Sequence, residues 1–224
     1  VGYLVVYPGM GNFKGILGWT QLEQHEREVS RAEEKYRDMR DRYLAMPIAE
    51  IAEDPAVRKM GMRMFSNNCA QCHGSDAKGA YGFPNLTDDD WLYGGTPDAI
   101  KATLVNGRQA AMPPWGSILG DQGILETTEY VQSLSGREVD GDLAEAGAKH
   151  YQAYCVACHG ADGKGNPALG APNLANGIWL YGGSDEQIAH TLRNGRNGVM
   201  PAFKDTLGED KIHILAAYVY GLNQ

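Results

Sequence analysis

Between Thr20 and Met46 the chain is charged on almost every side, yet Leu22, Val29, Tyr36 and Tyr43 recur every seven residues, with His25, Ala32, Met39 and Met46 three places on. That spacing predicts one long helix with a narrow, partly apolar stripe. At 1.5 Å per residue it runs about 40 Å. Two readings of the stripe stand open: a spacer helix packed on its own domain, or a contact with another subunit. His25 reads as a packing or surface residue. Pro47 ends the helix, and residues 47–54 read as a linker. Asp54-Pro55 then supplies an N-cap and a first-turn proline for a helix from Pro55 to about Asn67. The same layout returns near Asp140 to Tyr154.

The return is part of a longer repeat. Pro84-Asn85-Leu86 matches Pro172-Asn173-Leu174, and Trp91-Leu92-Tyr93-Gly94-Gly95 matches Trp179-Leu180-Tyr181-Gly182-Gly183. Asn106-Gly107-Arg108 matches Asn194-Gly195-Arg196, Met112-Pro113 matches Met200-Pro201, and Tyr130-Val131 matches Tyr218-Val219. These pairs lie 88 residues apart, whereas the cysteines lie 86 apart, so the second copy carries two extra residues between His159 and Pro172. Each copy predicts a helix into its cysteines, a glycine-rich loop and a short helix over Thr96–Asn106 or Ser184–Asn194. A methionine loop and a final helix at about Gly123–Ser135 or Glu209–Leu222 complete it. No sustained alternation demands a sheet. The expectation is an all-α chain, divided as 1–19, 20–54, 55–137 and 138–224, with a polar hinge from Ser135 to Gly141.

The four cysteines carry the chemistry. Cys69-Ala70-Gln71-Cys72-His73 and Cys155-Val156-Ala157-Cys158-His159 are both C-x-x-C-H, the attachment signature of a c-type haem. Two thiols on one helical turn each form a thioether to the porphyrin, and the next residue aims an imidazole at the iron. A zinc site would need four soft ligands close together, and 82 residues separate Cys72 from Cys155. Copies of about 85 residues bury little core unaided, so a covalently held haem in each supplies the missing apolar centre. Two haem c groups are expected, with His73 and His159 as proximal ligands. Met112 and Met200, 40 and 42 residues after the second cysteine of each motif, are the candidates for the opposite side.

The Pro84 and Pro172 carbonyls are candidates to accept the second imidazole N–H. Arg108 and Arg196 either pair with propionates or sit solvated. Trp91, Tyr93, Trp179 and Tyr181 either line haem edges or reach propionates, or else pack in the core. His150, His190 and His213 have no counterpart in the first copy and read as surface residues.

Net charge of −8 without a basic block excludes nucleic acid as a partner. Haem attachment of this type places the folded part on the oxidising side of a bacterial-type membrane. The start, Val1 to Pro8, is apolar for about seven residues, against the roughly 20 of a span. It reads either as the outer end of a longer span or as an ordinary short apolar segment. Gly9 to Gly18 reads as an exposed glycine-rich loop.

Residues 55–224, with C-x-x-C-H-G, Pro-Asn-Leu, Met-Pro and an aromatic-bearing last helix, resemble the class I cytochrome c fold twice over. Val5-Val6-Tyr7-Pro8-Gly9-Met10-Gly11-Asn12-Phe13, Leu17-Gly18-Trp19-Thr20, the charged helix and the doubled Trp-Leu-Tyr-Gly-Gly extend the resemblance to the dihaem subunit of cbb3-type cytochrome c oxidases. That resemblance implies an inner-membrane anchor upstream of Val1 and haem domains facing the periplasm. It also implies electron flow from a periplasmic cytochrome c donor toward monohaem and catalytic subunits, with no catalysis in this chain itself. Two other classes remain in view. A free dihaem shuttle of the c4 type leaves residues 1–46 unexplained. A dihaem peroxidase needs an iron site that opens, which Met112 and Met200 oppose.

Overall fold

A computed structural model describes residues 2–7 and 15–224. Most of the glycine-rich segment expected as an exposed loop, residues 8–14, lies outside the described residues, as does Val1. The chain forms two compact units, residues 1–46 and 47–224.

The first unit holds α1 (Gly2–Val6) and α2 (Gln21–Leu44). Thr20 caps α2, its hydroxyl accepting the Glu23 N–H at 3.1 Å. The Tyr7 ring stands edge-on to Trp19, with centroids 5.7 Å apart. Of the stripe on α2, Leu22, Val29 and Tyr36 are 67%, 40% and 53% exposed. Most of that apolar edge therefore faces solvent in the isolated chain. No helix among the described residues is long and apolar enough to cross a membrane.

The second unit begins with α3 (Ile48–Ile51), α4 (Pro55–Asn68), α5 (Ala70–His73) and α6 (Pro97–Asn106). Strand β1 (Arg108–Met112), α7 (Gly116–Leu134), α8 (Gly141–Tyr154) and α9 (Val156–His159) follow. The chain ends with α10 (Asp185–Asn194), β2 (Arg196–Met200), α11 (Lys204–Leu207), α12 (Glu209–Tyr220) and a 3₁₀ turn at Gly221–Asn223. The caps follow the sequence signals: Asp54, Thr96, Asp140 and Ser184 each accept a backbone N–H of the first turn they precede.

Several features depart from the expectations. Residues 47–54 are not a free linker. Ile48 and Ile51 are buried and α3 packs on α12. A short antiparallel sheet joins β1 to β2, with Arg108 opposite Met200 and Met112 opposite Arg196. Five residues with alternating burial are too brief to stand out from the helical pattern around them. Helix α7 starts earlier than expected and breaks at Gly120, whose φ of 62° matches the φ of 78° at Gly208, 88 residues on. His213 is buried because α12 is enclosed by α3, α4 and α6. His150 is half-buried, with Nε2 3.0 Å from a Glu126 carboxylate oxygen.

The largest departure concerns which helices meet. Helix α12, from the second sequence copy, packs on α3, α4 and α6 of the first. Helix α7, from the first copy, packs on α8 and α10 of the second. The aromatic pairs follow the exchange: Phe65 meets Tyr218 with centroids 5.7 Å apart, and Tyr130 meets Tyr151 at 5.0 Å. The expected segments 55–137 and 138–224 thus survive as sequence copies, while their terminal helices trade seats. Residues 135–140 are the only link between α7 and α8, and a connection that short favours an antiparallel helix pair.

Glycine sets how closely these helices approach. A Cβ on Gly61 would stand 2.2 Å from the Tyr218 Cβ, and one on Gly147 would stand 2.0 Å from the Glu126 carbonyl oxygen. Gly147→Ala is therefore expected to destabilise the second unit by about 2 kcal/mol, overpacking outweighing the roughly 1 kcal/mol that alanine gains in a helix. Thermal unfolding should show a fall in Tm of about 5 °C. An unchanged or raised Tm would contradict the contact.

Candidate functional site

Each C-x-x-C-H is one turn of helix appended to a longer one. Cys69 closes α4 and opens α5, and Cys155 does the same between α8 and α9. Gly74 and Gly160 end those turns at φ of 79° and 77°, where a side chain is strained. Within each turn one thiol faces inward and one outward. Cys69 and Cys155 are buried, Cys72 and Cys158 are exposed, and all four are free. Burial, with a smaller push from the neighbouring cysteine, raises the Cys69 and Cys155 thiols to about 11.

The histidines are held from behind. His73 Nδ1 lies 3.0 Å from the Pro84 carbonyl oxygen, and His159 Nδ1 lies 3.1 Å from that of Pro172. A carbonyl only accepts, so Nδ1 carries the proton and Nε2 keeps its lone pair. That tautomer is the one a metal needs, and the bond fixes the ring about its axis. Burial holds His159 below the usual histidine range, only partly offset by the Pro172 carbonyl.

The proline carbonyls are placed by their own turns. Asn85 and Asn173 fold back onto the N–H groups of Thr87 and Ala175 at 2.9 and 2.8 Å. Gly79 and Gly165 pass beneath them. A Cβ on Gly79 would stand 2.3 Å from the Phe83 oxygen and 2.7 Å from the Pro84 oxygen.

Arg108 and Arg196 are half-buried and held by neighbouring side chains. Arg108 stacks over Tyr93 at 4.3 Å and its Nε donates to the Thr103 hydroxyl at 2.8 Å. Arg196 stacks over Tyr181 at 4.3 Å, donates to Thr191 from Nε at 2.9 Å, and reaches the Tyr81 hydroxyl from Nη2 at 3.1 Å. Thr103 and Thr191 escaped the sequence reading although they are themselves 88 residues apart. The repeat was the signal that could have found them. Trp179 is half-buried against the core, and its buried indole N–H has no acceptor among the described residues. Gly183 makes room for that ring, since a Cβ there would stand 2.5 Å from Trp179 Cδ1. Met112 and Met200 end β1 and β2, each followed by proline and each half-buried.

These residues fit a covalently attached porphyrin. Paired thiols on one turn, an imidazole with its outer nitrogen fixed, and an orphaned buried donor that would suit a carboxylate all point the same way. The family described as "Cytochrome C oxidase, cbb3-type, subunit III" matches residues 56–131 and 142–219. The chain belongs to that family. It is 43% identical over 223 residues to the cbb3-type cytochrome c oxidase subunit CcoP of Rubrivivax gelatinosus, covering 99% of this chain and 73% of that one. It is 41% identical over 241 residues to subunit FixP of Bradyrhizobium sp. (strain ORS 278), covering 99% and 83%. Subunit CcoP of Cereibacter sphaeroides is 36% identical over 241 residues, with the same coverage. As in that family, the chain is an electron-transfer subunit of an oxidase complex and binds haem c covalently.

Gly79→Ala should push the Pro84 carbonyl away from His73 and force a positive φ on alanine, costing about 1–3 kcal/mol. One haem should then titrate at a higher potential, because an imidazole that loses its carbonyl partner is a weaker donor. Equilibrium redox titration checks this; an unmoved potential would sever the link between this glycine and the iron.

Proposed function

We propose that this chain relays electrons through two covalently held haem c groups, from a periplasmic cytochrome c donor toward the monohaem and catalytic subunits of a cbb3-type oxidase. The chain is held at the inner membrane by a span upstream of Val1, and residues 47–224 face the periplasm. The observation that carries the reading is the doubled histidine geometry, Nδ1 bonded to a proline carbonyl at 3.0 and 3.1 Å behind each C-x-x-C turn.

Cys69 and Cys72 hold one haem, and Cys155 and Cys158 the other. His73 and His159 offer Nε2 to the irons. Met112 and Met200 would supply the thioether ligands. When bound, the haems supply one-electron chemistry. The protein's part is to keep the imidazoles from turning through the Pro84 and Pro172 carbonyls, and the methionine thioethers would raise the potential. Arg108, Arg196 and the Trp179 N–H would be the donors to propionates. A methionine and an imidazole on each iron would leave oxygen no seat there, so on this reading oxygen reduction belongs to another subunit.

Purification of the membrane-extended protein tests the relay. It should bring b-type haem with it and show two irons per chain bound as haem c. Recovery alone, without b-type haem, would favour a free shuttle.

Met112→Ala and Met200→Ala should each lower the potential of one haem, on the order of 0.1 V out of the ~0.8 V that axial ligands command, with covalent haem intact. Redox titration showing two unchanged potentials would reject these ligands. The chain alone should not sustain oxygen uptake with an electron donor.

A further inference from the structure

The two methionines lie on the wrong sides for their own copies. Met112 packs against the buried cluster of Ile124, Val131, Tyr151, Cys155, Ile188 and Leu192. That cluster contains the first thiol of the second motif. Leu174 and Trp179, from the Pro-Asn-Leu and Trp-Leu-Tyr-Gly-Gly of the second copy, pack there too.

The backbone agrees on both sides. The Trp115 N–H donates to the Leu192 carbonyl at 2.9 Å, and the Phe203 N–H donates to the Leu104 carbonyl at 2.9 Å. A Cβ on Gly195 would stand 2.3 Å from the Met112 carbonyl oxygen, and one on Gly107 would stand 2.5 Å from that of Met200. Each methionine therefore rests on the Asn-Gly-Arg of the other copy.

The two paths pass each other along β1 and β2. Arg108 and Arg196 are still tied to their own copies through Thr103 and Thr191. Four residues later, Met112 lies opposite Arg196 and Met200 lies opposite Arg108. Four steps of about 3.3 Å carry each chain about 13 Å past the other.

We propose that the axial pairs are crossed: His73 shares its iron with Met200, and His159 shares its iron with Met112. Each site is then assembled from both copies, and neither copy completes a site alone. The proposal rests on the two-haem reading above and adds which thioether belongs to which imidazole.

Full-length chain carrying Cys155→Ala and Cys158→Ala keeps only the haem on Cys69 and Cys72. In that background Met200→Ala should abolish the far-red methionine–iron absorption band, while Met112→Ala should leave it. The reciprocal background, Cys69→Ala and Cys72→Ala, should reverse the result. The mass of the covalent haem–protein adduct confirms attachment in every variant.

Loss of the band with Met112→Ala in the first background overturns the crossing and leaves methionine ligation standing. A band lost with neither variant overturns the crossing together with the ligand assignment. Absence of covalent haem in the parent overturns the two-haem reading beneath both.

A second measurement does not depend on the ligands. Lys101 Nζ and a Glu209 carboxylate oxygen lie 3.7 Å apart across the two copies. Carbodiimide treatment of monomeric wild-type chain should yield a Lys101–Glu209 cross-linked peptide. A monomer in which Glu209 links only to residues of its own copy overturns the exchange.

Discussion

The second unit depends on a helix–helix contact made twice, in which glycine lets an aromatic-bearing helix come close. Gly61 receives Tyr218, and Gly147 receives the α7 backbone at Glu126. Everything that positions the chemistry hangs from these two seats. Helices α4 and α8 run from them straight into the cysteine turns, and α7 and α12 run back from them to the methionine strands. An ångström of displacement at either seat would be carried to both ends. The partners fit that demand: the Glu126 carbonyl at Gly147 and the Tyr218 Cβ at Gly61 are both fixed closely to their helix backbone and yield little.

Because the two copies share the same landmarks, either terminal helix can occupy either seat with similar contacts. Phe65 and Tyr151 present equivalent rings, as do Tyr130 and Tyr218. The choice between own and exchanged seating then falls to the connections. Residues 135–140 hold α7 beside α8, and once α7 is there, α12 is left for α4. This is the arithmetic of domain swapping between identical protomers, carried out within one chain. There the effective concentration is high and no translational entropy is lost. The antiparallel β1–β2 pair is where the two paths pass, and its backbone bonds offset the exposure that two crossing strands would otherwise suffer.

Much of this was legible in the residues because the signals were local. The C-x-x-C-H turns, the capping residues Thr20, Asp54, Thr96, Asp140 and Ser184, and the helices they open all follow from side chains acting on their own backbone. The 88-residue repeat located the methionines and the Pro-Asn-Leu turns whose carbonyls stand behind the histidines. What escaped was decided at long range. Nothing in Ile48 and Ile51 announces that α12 will cover them, and His213 is enclosed by helices of the other copy. The exchange itself is invisible to pattern, because a repeat that makes two copies alike also makes their partners interchangeable. Gly120 and Gly208 were readable in principle, being 88 apart, but a glycine within an apolar run looks like a tolerated one until its positive φ is seen.

The proposed crossing would have a consequence for electron transfer that two independent domains lack. In separate lobes, relative motion changes the distance between sites and leaves each ligand set intact. Here the lobes cannot part without drawing Met112 and Met200 from their places, since each strand is anchored at Arg108 or Arg196 on one side and at Trp115 or Phe203 on the other. With the ligands paired as proposed, the separation of the two sites and the completeness of each would be one mechanical variable. A relay benefits from such coupling, because transfer between fixed centres falls steeply with distance. The interlocked strands hold that distance with backbone hydrogen bonds, where a conventional interface would rely on side chains free to slide.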